Sequence, residues 1–328
     1  MNHLFLEPSN SPLTFLSANP QLSSQSQMET SLMSYVMLHD ASFEYYAIDL
    51  AIVLVILAGL RFFSGMVANI SLREVLSVDD NAAVGISLTG AVIGVAIMLM
   101  GAVAGDAGGT PGEEALLMFG YGVVGIVLMW VTSRLFDHLS MPNIPIHNLI
   151  QKGNVAAAMV DAGNLIATAI IVRAVMSWVD GSTYMGIAVV LAGYVVAQAI
   201  LYLATRYRIA VFARRHPGKS LQQEIAGGNM ALAVRFAGHR IGVGLAVTAA
   251  SGIVIYMLDN VWFSLLVWSG VALVMFLAQT IISIIARLVL LPGINVGEEV
   301  GKQRNVAIGA LEAAIYIAIG LVFVGLFG

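Results

Sequence analysis

QKGNVAAAMVDAG, residues 151–163, decides how the chain reads. Its small apolar residues suit a helix packed closely among other helices in lipid. Asn154 suits the start of that helix, because an Asn side chain there accepts a hydrogen bond from an orphaned backbone N–H. Gly153 lets the chain turn into it. Asp161 is the exception, a carboxylate about two turns into an apolar segment.

The surrounding composition fits the same environment. Of 328 residues, 59% are hydrophobic and 10% charged, against about 25% charged in an ordinary soluble domain. Mean hydropathy is +0.89. Eight apolar segments follow one another at 45–68, 81–105, 113–137, 154–178, 182–210, 229–254, 261–290 and 305–328. Each has the roughly 20 residues that a helix needs to cross a bilayer, and helices satisfy their own backbone groups there. The expected fold is therefore all-α, a polytopic integral membrane protein of eight transmembrane helices. Residues 1–44 contain SANPQLSSQSQMETS and no Lys or Arg, so they read as a polar extracytoplasmic tail rather than a secretory signal. The chain has no Cys, which excludes disulfides, thiol catalysis and Cys-based metal sites.

The charges orient the spans. Arg61, Arg73, Arg134, Lys152, Arg206, Arg208, Arg214, Arg215, Lys219, Arg287, Lys302 and Arg304 fall in or beside alternate connections. The other connections hold Asp106, Glu113, Glu114, Asp180 and Asp259. The positive-inside rule then puts the basic loops in the cytoplasm and both termini outside. For a bacterial chain this means the cytoplasmic (inner) membrane.

The opening stretch recurs. DNAAVGISLTG (80–90), GNVAAAMVDAG (153–163), GNMALAVRFAG (228–238) and RNVAIGALEAA (304–314) align without gaps. Asn81, Asn154, Asn229 and Asn305 lead them, spaced by 73, 75 and 76 residues. Nine positions after the Asn stand Gly90, Gly163, Gly238 and Ala314. With small residues also two and thirteen positions on, each helix carries one small stripe that admits a close neighbour. The chain thus reads as four helical hairpins, each second helix capped by Asn. Two roles for the four caps stay open: packing and capping alone, or helix N-termini converging on a cytoplasmic anion.

KGNVAAAMVDAGNLI and EIAGGNMALAVRFAGHRIGVGLA resemble the DUF350 family of bacterial inner-membrane proteins. Two tandem four-helix domains, 45–178 and 179–328, are what that resemblance implies. The first hairpin departs from the pattern at Leu88, and the fourth has Ala314 where Gly is usual. The resemblance carries no activity; it implies only a link to membrane-stress genes and to glutathionylspermidine-synthase-like ligases.

The charged residues within the spans are Asp161, Arg235, His239, Arg240 and Glu312. A charge at the bilayer centre costs roughly 2.5–3.5 kcal/mol on insertion scales, so such groups are expected to turn toward one another. Asp161 and Glu312 would flank the third hairpin's second helix and pair with Arg235 or Arg240, since a guanidinium can hold a carboxylate bidentately. This set is either a structural salt-bridge network or a path for an ion, proton or small charged solute, with His239 as a titratable member. Arg173 reads as a snorkelling residue near Asp180. The basic run with Arg208, Arg214, Arg215 and Lys219 borders a span, so anionic lipid rather than nucleic acid is its expected partner. Asp137, His138 and His147 could in principle hold a metal; a solvated loop is the commoner reading, and no metal or other cofactor is expected. No catalytic constellation stands out, so an enzyme is not expected. Two functions remain: a transporter- or channel-like protein, or a non-transporting scaffold that recruits a peripheral stress protein or lipid.

Overall fold

The computed structural model describes residues 43–68, 71–103, 110–179 and 184–328. The chain divides into two compact units, 1–46 and 47–328. Most of the first, with the polar tail, lies outside the described residues, as do Asp106 and Asp180.

Every element is helical among the described residues. In chain order they are α1 (Phe43–Ala68), α2 (Leu72–Ser77), α3 (Ala82–Val103), α4 (Pro111–Leu135), α5 (Ile146–Gln151) and α6 (Val155–Trp178). Then come α7 (Tyr184–Arg215), α8 (Leu221–Ala226), α9 (Met230–Ile253), α10 (Val261–Leu290), α11 (Val296–Gly301) and α12 (Val306–Phe327). Seven of the described helices are long and apolar enough to cross a membrane: α3, α4, α6, α7, α9, α10 and α12. The eighth expected segment is helical over its length as α1, but it is not among those seven. Their exposed faces are apolar where lipid would lie; α10 turns Trp262, Phe263, Leu266, Val274, Ile281 and Leu288 outward.

The sequence reading missed α2, α5, α8 and α11. Each is six residues long and precedes one of the four Asn caps. Between short helix and cap, the residue before the Asn is left-handed all four times: Asp80 (φ 48°), Gly153 (84°), Gly228 (78°) and Arg304 (55°). Gly does this without a Cβ penalty. Asp80 and Arg304 take the same turn with a Cβ present, Asp more readily than Arg, so no glycine marks the turns before Asn81 and Asn305.

Each Asn makes two kinds of bond. Its Oδ1 accepts from its own helix: Asn81 from Ala83 and Val84, Asn154 from Ala157, Asn229 from Leu232, Asn305 from Ala307 and Ile308. Its Nδ2 donates to the short helix that follows in sequence. Asn81 reaches the Gln151 carbonyl at 3.0 Å, Asn154 that of Ala226 at 2.8 Å, and Asn229 that of Val300 at 3.1 Å. Asn305 donates instead to the Glu299 side chain, in the short helix before it, at 2.9 Å. The carboxamides are thus used within the protein, in capping a long helix and in tying it to a short one.

Helices α3, α6, α9 and α12 pack side by side in chain order. The small stripe makes this possible. A Cβ at Gly90, Gly163 or Gly238 would overlap Ala162, Ala237 or Ala313 of the following helix. In α12 the matching residue, Ala314, is exposed. The central members, α6 and α9, are the most buried, and α4, α7 and α10 cover the row.

Candidate functional site

A helix in the middle of a row has two opposite contact faces, one for each neighbour. In these helices the small stripe meets the following helix, and the face about 180° away meets the preceding one. Asp161, seven residues after Asn154, lies on the second face of α6 and therefore looks toward α3. Arg235 and Arg240 are on α9, the other neighbour. The expected pairing of Asp161 with either arginine does not occur.

Asp161 is instead held by hydroxyls. Ser87 of α3 donates to Oδ2 at 2.6 Å, and Ser133 of α4 to Oδ1 at 3.5 Å. The residue is 5% exposed. It borders a cavity of about 150 Å³ between α1, α2, α3, α4, α5 and α6. The walls are mostly apolar, including Leu60, Leu88, Ile126, Met129 and Leu165. Toward the basic loops the lining becomes polar with Arg134, Asp137, His147 and Gln151. Asp137 lies in a π-helical turn, Phe136–Ser140, that continues α4. Thus two of the three residues considered for a metal in this loop, Asp137 and His147, line the Asp161 cavity; His138 does not.

The last two helices of the row carry the ionic cluster. Glu312 of α12, 1% exposed, forms ion pairs with Arg235 through Nε and with Arg287 of α10 at 3.3 Å. Nη2 of Arg235 also donates to it at 3.1 Å. The Tyr316 hydroxyl donates to Glu312 at 3.4 Å and accepts from Arg208 at 2.9 Å. His239 presents its ring edge-on to Tyr316, with centroids 5.0 Å apart, and neither of its ring nitrogens has a hydrogen-bond partner. Arg208 therefore leaves the lipid-facing basic group in which its sequence position put it. It is buried because α7 remains helical to Arg215, which turns this residue back against α12. Arg214, Arg215 and Lys219 remain exposed, and Lys219 pairs with Glu224 at 3.0 Å. Burial pushes the Glu224 carboxyl up, but Lys219, Asn229 and Arg304 together hold it below the ordinary carboxylate value.

Arg240 belongs to neither carboxylate. Its guanidinium donates to the Leu201 carbonyl at 3.0 Å, to Thr205 and to Asn164, and lies 5.0 Å from the Phe136 ring centre. A planar, weakly hydrated guanidinium tolerates such neutral and aromatic company better than an ammonium does. The five in-membrane groups thus form three separate environments rather than one network. Arg173 lies apart from them, its stem packed on Gly101 of α3.

The sequence did not mark Ser87, Ser133 or Tyr316, and it marked Arg287 only as a basic residue at a connection, not as a partner of the buried acids. A signal existed for two of them. Ser87 stands six residues after Asn81, as Arg235 does after Asn229, and Arg287 marks the end of its helix as Arg134 does.

Neither the curated proteins nor the solved structures contain a match to this chain. A family model does match, three times and with overlap, over residues 37–176, 112–210 and 182–327, in keeping with repeated domains. Together these matches cover nearly everything after the tail, and the chain belongs to the family described as Domain of Unknown Function, DUF350.

Proposed function

We propose that this is an eight-span protein of four hairpins, arranged as two tandem domains, which moves an ion or small charged solute by way of the Asp161 cavity. The observation that carries the reading is a buried carboxylate whose hydrogen-bond partners are two serines and which borders open space. A carboxylate within a span is costly and marks a functional candidate by default. The Glu312 cluster is closed upon itself by ion pairs and serves as structure in this reading.

The orientation follows from charge. Lys152, Arg214, Arg215, Lys302 and Arg304 stand on the side of the short helices, while Glu113 and Asp259 stand at the opposite helix ends. The basic side is cytoplasmic and both termini lie outside. The chain has no native Cys, so single substitutions report directly. In intact cells an impermeant maleimide is expected to label Asp259→Cys and to label Gln303→Cys only after permeabilisation; the reverse pattern overturns the orientation.

For the activity, reconstituted liposomes on a supported membrane are expected to carry a current in a proton or cation gradient. Asp161→Asn should reduce it to the level of empty liposomes. A current undiminished in that variant removes Asp161 from the path.

A further inference from the structure

The row contains the same contact twice, once filled and once open. Glu312 and Asp161 both stand seven residues after their caps, and both face the preceding helix of the row. Around Glu312 the neighbours are Arg235, Arg287 and Tyr316. Around Asp161 they are Ser87, at the place corresponding to Arg235, Ser133 from the covering helix, and Leu165, at the place corresponding to Tyr316. Two long side chains, Arg235 and Tyr316, have the shorter Ser87 and Leu165 as counterparts, and a cavity of about 150 Å³ lies there, with Arg134, which marks its helix end as Arg287 does, at the polar end of the lining. Two guanidinium groups pair with the acid in one site; in the other only two serine hydroxyls bond it, beside open space.

We propose that the Asp161 cavity binds a small organic cation with a guanidinium or primary ammonium head, which occupies the place that the protein's own Arg235 takes beside Glu312. This rests on reading the cavity as the solute site. The chemistry is complementary on three counts. Serines can orient the carboxylate but add no positive charge, so a cationic N–H donor completes the pairing. Formal charges at the cavity are Asp161 and Asp137 against Arg134, with His147 at the polar end, a balance that favours a cation. The volume is many times the roughly 10–15 Å³ that a cavity needs to hold one water, and the apolar wall of Leu60, Leu88, Ile126 and Met129 suits a short hydrocarbon tail. A bare metal ion would leave that wall uncovered.

The test uses the full chain in nanodiscs with radiolabelled butylguanidinium as the probe. Wild type is expected to bind it saturably, one per chain, with competition from butylammonium. Asp161→Asn should weaken binding at least tenfold. Ser87→Arg, which supplies from within the arginine found at the matching place beside Glu312, should abolish binding while the protein stays folded and monodisperse. Absence of saturable binding to wild type, or equal binding to wild type and Ser87→Arg, overturns the proposal. Asp161-dependent binding of sodium-22 without butylguanidinium binding overturns the organic cation yet leaves the transport reading standing. Binding of butylguanidinium with no current for any ion does the opposite.

Discussion

Glu312→Ala is expected to destabilise the protein by about 3–5 kcal/mol, the usual consequence of removing one partner from a buried ion pair. The size follows from what is left behind. Arg235 and Arg287 lose their common carboxylate, and Tyr316 keeps its bond to Arg208 but loses its acceptor. An uncompensated guanidinium inside the bundle has nowhere to go, since α9 is packed on both faces of the row. Thermal unfolding in detergent, followed by tryptophan fluorescence, should show a large drop in Tm or no folded protein at all. Glu312→Ala combined with Arg235→Met should recover part of the loss, because an apolar group of similar volume then replaces one stranded charge. Asp161→Asn provides the contrast. An amide oxygen can still accept from Ser87, so its cost should stay below about 1 kcal/mol. Equal Tm losses for Glu312→Ala and Asp161→Asn would contradict the distinction between a closed ionic cluster and an open carboxylate.

Gly238→Leu is the second large effect. At Gly238 the backbones of α9 and α12 approach so closely that even a methyl group would overlap Ala313. Relief requires the helices to separate, and overpacking a dense contact costs about 1–3 kcal/mol or more when backbone must move. The loss extends further here, because α12 also meets α9 at Gly242, Gly309 and Gly320, and these contacts open together. The expected outcome is a sharp fall in the yield of monodisperse protein. Ala314→Leu is the matched control. It alters the equivalent position of α12, where the residue is exposed, so it should be tolerated within about 0.5 kcal/mol. If both substitutions behave alike, the stripe does not order the row.

The fold was legible to different depths. Apolar segment lengths located the seven helices long and apolar enough to cross a membrane, and the helical α1, because lipid calls for long backbone-satisfied helices whatever the partners. The recurring Asn and the small residue nine positions on marked where a helix starts and which face comes close to another. The six-residue helices escaped notice because their segments are too short for a periodic pattern. The left-handed turns were visible only at Gly153 and Gly228, since Asp80 and Arg304 adopt the same backbone without the residue that advertises it.

By itself, then, the sequence determined that this chain is a bundle of apolar helices, with Asn at four helix starts and five ionisable groups that had to turn away from lipid. Tertiary structure alone decided which neighbour each face would meet. Among lipid-embedded helices there is little hydrophobic preference for one partner over another, so order is set by close packing and by hydrogen bonds between residues seventy or more apart. That is why Asp161 and Arg235, alike in promise, went to opposite sides of the row. One came to rest between two serines beside a cavity, the other against Glu312.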